Sequence, residues 1–117
     1  MALQIVERDS GGVTILELSG RVTLGDASHD LRTKLKEVLS QGKTRLVLDL
    51  ANVGYIDSAG LGTLVGGYSS FQSKGAHLKL ANLTNKFHEQ LHITKLVTIF
   101  DVYNTVDEAV KAFGPAS

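Results

Sequence analysis

The chain has 117 residues, 43% of them hydrophobic, enough to bury a core within one domain spanning 1–117. Its 12 Lys and Arg balance 12 Asp and Glu, and this zero formal charge argues against a nucleic-acid binder and against electrostatic docking on an anionic membrane. There is no cysteine, so disulfides, thiol chemistry and thiolate metal sites are excluded.

LQIVE (3–7) and VTILELSG (13–20) read as strands, and Asp9-Ser10-Gly11-Gly12 between them as a hairpin turn. Glu7 comes too early to leave room for the apolar core of a signal peptide. From Asp26 the period changes: Ala27, Leu31, Leu35, Val38 and Leu39 recur at helical spacing, and Gly42 stands where the helix should stop. RLVLDL (45–50) is a nearly unbroken apolar run, as expected of a central strand covered on both faces. Residues 58–73 form a second helical pattern with Leu61, Leu64, Val65, Tyr68 and Phe71 on one side.

HLKLAN (77–82) returns to strand alternation, Leu83, Phe87 and Leu91 mark a short third helix, and 97–102 a last strand. A capping box from Thr105 to Glu108 opens a final helix with Val106, Ala109, Val110 and Phe113 inward, ended by Gly114-Pro115. The order β-β-α-β-α-β-α-β-α predicts an α/β fold, a mostly parallel sheet with an N-terminal antiparallel hairpin. No apolar run approaches the roughly 20 residues that cross a bilayer, so a cytoplasmic protein without membrane insertion is expected.

Three kinds of enzyme chemistry have partial signatures. His88-Glu89-Gln90-Leu91-His92 spells the H-E-x-x-H of zinc hydrolases, but Lys95 and Thr98 occupy the positions of the extended pattern's glycine and third histidine. Phe87 and Leu91 form the inward stripe of that helix, which sends both histidines towards its wet flank. Ser58 sits at a strand-to-helix turn as a hydrolase nucleophile does, yet Ile56 replaces the first glycine of the elbow and no histidine is placed as base. Gly60 and Gly62 lack the Gly-Lys-Ser/Thr that completes a phosphate-binding loop. No self-contained catalytic machinery and no complete metal site is therefore visible in the sequence.

The 58–73 helix carries the functional signal. Asp57 or Ser58 is a good N-cap. Gly60, Gly62, Gly66 and Gly67 each cost about 0.5–1 kcal/mol relative to alanine, so something offsets them. Opposite the apolar face lie Gly62, Gly66, Ser69, Ser70 and Ser73, with Thr63 adjoining, and no residue from 58 to 73 is charged. A merely solvated face would carry Lys, Glu or Arg; this stripe suits close approach by another surface, whether a second layer of the same domain or a partner. Ser58, at the positive end of the helix dipole, is set for phosphorylation. Glycines at 60 and 62 would leave the first-turn amides uncovered.

DSAGLG at 57–62 resembles the signature of STAS domains, in particular the bacterial anti-sigma factor antagonists. LSGRVTLGDA (18–27), RLVLDLANVGYIDSAGLG (45–62) and ITKLVTIFDVYNTVDEAV (93–110) extend the resemblance over nearly the whole chain. The resemblance implies partner switching in transcription regulation: the unphosphorylated domain binds an anti-sigma factor that is also a serine kinase and so frees the sigma factor. It further implies that the kinase phosphorylates Ser58, directly after the motif's Asp57, and that a PP2C-type phosphatase restores it. ATP then belongs to the kinase, so the resemblance implies no catalysis and no obligatory cofactor for this chain.

With the stripe, the expected partner-binding residues are Thr23, Asp57, Ser58, Ala59, Gly60, Gly62, Gly66 and Ser69. Ala59 stands where many relatives have a second hydroxyl, and Thr23 where relatives often carry an acid. A monomer or weak homodimer is expected. STAS domains also serve, without phosphorylation, as subunits of membrane-lipid ABC transporters or of other signalling complexes, the alternative reading, and a zinc hydrolase through His88, Glu89 and His92 is the remote one.

Overall fold

A computed structural model describes residues 3–95 and 98–114. Strands β1 (Gln4–Ser10), β2 (Val13–Val22), β3 (Arg45–Ile56), β4 (His77–Ala81) and β5 (Asp101–Tyr103) form one sheet in that spatial order. The β1–β2 pair is antiparallel and every other neighbouring pair parallel. Helices α1 (Asp26–Ser40), α2 (Ser58–Ser73), α3 (Asn85–Ile93) and α4 (Val106–Ala112) fill the connections, in the order the sequence predicts.

The hairpin is tighter than its turn residues suggest. Asp9 and Ser10 continue the strand opposite Thr14 and Val13, leaving only Gly11 and Gly12 to turn. Their φ values of +57° and +87° are those of the turn whose twist matches a hairpin, which glycine adopts without strain.

β3 also runs beyond its apolar stretch, which ends at Leu50. Asn52, Val53, Tyr55 and Ile56 stay paired with β2 through register shifts between Glu17 and Ser19 and between Gly20 and Arg21. These irregularities admit exposed Asn52, Gly54 and Tyr55 into a strand while Val53 and Ile56 remain buried.

Two cores flank the sheet. On one face Leu16, Leu48 and Leu50 meet Leu31 and Leu35 of α1, Leu64 and Phe71 of α2, and Phe87 and Leu91 of α3. On the other, Val13, Ile15, Val47 and Ala81 are covered by Val106 and Ala109 of α4. Each fully buried Leu or Phe contributes about 1.5–3 kcal/mol, so the three-helix side dominates stability.

The strand expected over 97–102 is displaced to Asp101–Tyr103. Residues 98–100 form a turn, and Val97 lies outside the described residues. Phe100 accounts for the difference: it is buried and meets Tyr68 of α2 edge-on at 5.3 Å, so its apolar character serves helix packing rather than the sheet. The Thr105 hydroxyl caps α4 by accepting the Glu108 N–H at 3.1 Å, as the capping box predicts. Gly114 follows the helix at φ +78°, and Pro115 lies outside the described residues.

Candidate functional site

Parallel strands send their C-terminal ends to one rim, where the loops that follow form the usual binding crevice of an α/β sheet. Here those loops are 23–25 after β2, Asp57 after β3 and 82–84 after β4. Asp57 joins the first two. Its Oδ1 accepts the Gly60 N–H at 2.9 Å, capping α2, and its Oδ2 accepts the Leu24 N–H at 2.9 Å. The Asp57 N–H donates to the Val22 carbonyl at 3.2 Å. These donors, Gly60 first and Leu24 second, hold the Asp57 carboxyl below the usual carboxylate range, so it is an anion at neutral pH.

Asp57, not Ser58, is therefore the cap. Ser58 is the first helical residue and is exposed beside the half-buried Ala59. The Gly60 amide, which the sequence suggests is uncovered, is engaged by Asp57 because the carboxylate reaches the third residue of the first turn.

The glycines of α2 divide into two classes. A Cβ on Gly60 would run into the Val22 carbonyl oxygen and lie 2.8 Å from Ile56 Cγ1, and one on Gly67 would lie 2.6 Å from Leu35 Cδ1. These two let α2 seat on β2 and α1. Gly62 and Gly66 have nothing within 4 Å of an added Cβ and are exposed, as are Ser69, Ser70 and Ser73. Thr63 does not belong with them. It is buried; its hydroxyl donates to the Ala59 carbonyl at 3.1 Å and faces Arg32 Nη2 at 3.4 Å, because α1 packs over it.

Thr23 is half-buried in the β2–α1 loop, and its carbonyl accepts both the N–H and the hydroxyl of Ser28. The sequence reading passes over its neighbour Leu24, which is 79% exposed and fixed by Asp57 next to Ser58. An apolar residue in a loop, belonging to no periodic stripe, was the available signal. Arg21 and Tyr55 also face solvent nearby, with the guanidinium 5.0 Å from the ring centroid.

The H-E-x-x-H segment lies on α3, with His88 half-buried and Glu89 and His92 exposed. Among the described residues no group of three or more His, Cys, Asp or Glu converges as a metal site would require. No helix among them is long and apolar enough to cross a membrane.

The profile of the STAS domain matches residues 4–109. The chain belongs to the STAS domain family. Within it, this STAS chain is 31% identical to the anti-sigma-B factor antagonist of Listeria monocytogenes, over 92% of this chain and 93% of that one. It is 30% identical to the anti-sigma F factor antagonist of Paenibacillus polymyxa, over 89% of each. The crystal structure of a putative anti-sigma factor antagonist from Thermotoga maritima superposes with a TM-score of 0.86 at 27% identity, covering 92% of both chains. The likeness thus falls in the anti-sigma factor antagonist branch of the family.

Proposed function

We propose that this STAS chain is an anti-sigma factor antagonist whose unphosphorylated form binds an anti-sigma factor with serine kinase activity, freeing the sigma factor. Ser58 carries the reading: an exposed hydroxyl at the start of α2, beside an anionic Asp57 and an uncharged helix face. The antagonist names of the relatives support it. In the switching step the γ-phosphoryl group of ATP passes to Ser58 Oγ, the hydroxyl proton goes to a base of the kinase, and ADP leaves. A PP2C-type phosphatase reverses this by hydrolysis. The chain supplies only the acceptor.

Phosphorylation adds a charge of about −1.5 to −2 next to Asp57. The Gly60 amide cannot neutralise it while Asp57 holds that donor, so the new charge is presented to the partner. The switch works by repulsion and bulk at the rim, with the core untouched.

Incubation with the kinase and ATP should add one phosphate to the protein and none to Ser58→Ala, as read by intact mass. Phosphorylation of the alanine variant at the wild-type rate overturns the assignment of Ser58. Ser58→Asp should bind the anti-sigma factor at least tenfold more weakly than wild type. Copurification with a transporter ATPase and no anti-sigma factor would instead identify a transporter subunit.

A further inference from the structure

A groove runs between α1 and α2, leading away from Ser58. Leu35, Leu39 and Phe71 give it an apolar floor, and its enclosed part is about 170 Å³. A shallower, more open continuation of about 320 Å³ towards the C-terminal end of α2 shares Lys36, Leu39 and Ser70.

The α2 wall explains the shape. Gly62, Gly66 and Ser70 lie four residues apart on one row, where large side chains would build the i±4 ridge of an ordinary helix. With no ridge, the row is a furrow about 12 Å long, at 1.5 Å per residue, into which another helix can lay its own ridge.

The charge is one-sided. Arg32 and Lys36 line the groove from α1, and Lys74 closes its far end. No carboxylate lines it, and α2 carries no charge at all. Among the described residues none of these three cations takes part in an ion pair, whereas Lys34 on the neighbouring face of α1 is paired with Glu7 and Glu37.

We infer that this groove docks an amphipathic helix of the protein partner, one with apolar residues at i, i+4 and i+7 and carboxylates flanking them. The apolar row fills the furrow and the carboxylates meet Arg32, Lys36 and Lys74. The inference rests on the proposed function for the partner's identity. It adds that recognition extends three turns of α2 beyond Ser58, and that the partner's contacting element is acidic.

The test combines Arg32→Glu/Lys36→Glu, which reverses the rim, with Gly66→Leu, which fills the furrow at a position with open space around it. Lys111→Glu, on α4 across the sheet, is the charge control. In titrations with the anti-sigma factor, the first two variants should each weaken binding at least tenfold while Lys111→Glu binds as wild type. Wild-type-like binding by both groove variants overturns the groove and leaves the proposed function standing.

If the wild type itself does not bind the anti-sigma factor, the proposed function fails, and a second arm decides the groove. A synthetic helical peptide with Leu at i, i+4 and i+7 and flanking Glu is titrated into the labelled wild-type protein, beside its Glu→Lys counterpart. Amide shifts at Arg32, Lys36, Gly62 and Gly66 with the acidic peptide alone support the groove. Equal or absent shifts overturn it, as does a wild-type homodimer that Gly66→Leu dissolves, since that would name a second copy as the occupant.

Discussion

Alanine in place of Gly60 and of Gly62, two residues apart on one helix, should act in opposite directions. At Gly62 the new methyl meets open space, so the change gains helix propensity of up to about 1 kcal/mol. At Gly60 the methyl collides with the Val22 carbonyl oxygen and would approach Val22 Cγ1 to 2.9 Å. That carbonyl cannot swing away freely, because it accepts the Asp57 N–H at 3.2 Å. Overpacking costs about 1–3 kcal/mol, and a backbone obstacle puts Gly60 at the upper end. Subtracting the propensity gain leaves a net loss of about 2 kcal/mol. In thermal melts Gly62→Ala should rise by about 2–4 °C and Gly60→Ala fall by about 6–8 °C, the scale for a domain of this size. A Gly60→Ala protein melting with the wild type would refute the close seating of α2 on β2.

Two further outcomes concern the rim. Asp57→Asn keeps a capping oxygen but removes the negative charge facing the helix N-terminus and two main-chain donors, and should lower stability by about 0.3–1 kcal/mol at neutral pH. Since the folded carboxyl titrates below its unfolded value, this advantage is complete above the ordinary carboxylate range and disappears as pH falls through the lowered folded value. Melting curves of the two proteins should therefore converge in acid; a constant gap would deny the carboxylate its electrostatic role. Leu24→Ala should leave the melting temperature unchanged, since the side chain is exposed. It should weaken anti-sigma factor binding about fivefold, equivalent to about 1 kcal/mol, measured by calorimetric titration. Unaltered affinity would place Leu24 outside the interface.

The element order was legible because α1 has a clear apolar period, β3 a nearly unbroken apolar run, and α2 and α4 open at the capping residues Asp57 and Thr105. The ends of β3 and β5 were not. Asn52 and Tyr55 look like loop residues until β2 is seen to pair with them through its irregular register, with Gly54 at the shift between them. Phe100 looks like part of a strand until Tyr68 is found against it. Both are tertiary facts, absent from local pattern.

In the candidate site, DSAGLG identified the entrance to α2 but could not apportion the labour within it. The carboxylate, not the hydroxyl, proved to be the cap, and Thr63 went into the α1–α2 contact instead of the exposed stripe. Leu24 left only the faint signal of an apolar loop residue, because its placement comes from a hydrogen bond across 33 residues of chain.

The β2–α1 loop is held to α2 through main-chain atoms: the Leu24 N–H is donor to Asp57, and the Val22 carbonyl is acceptor from it. Neither contact uses the side chain of residue 23 or 24. Gene duplicates could therefore exchange those two side chains for acids, histidines or aromatics and keep the loop's shape. Cross-talk between sister pathways would be removed at the rim alone, with the fold of each copy inherited intact.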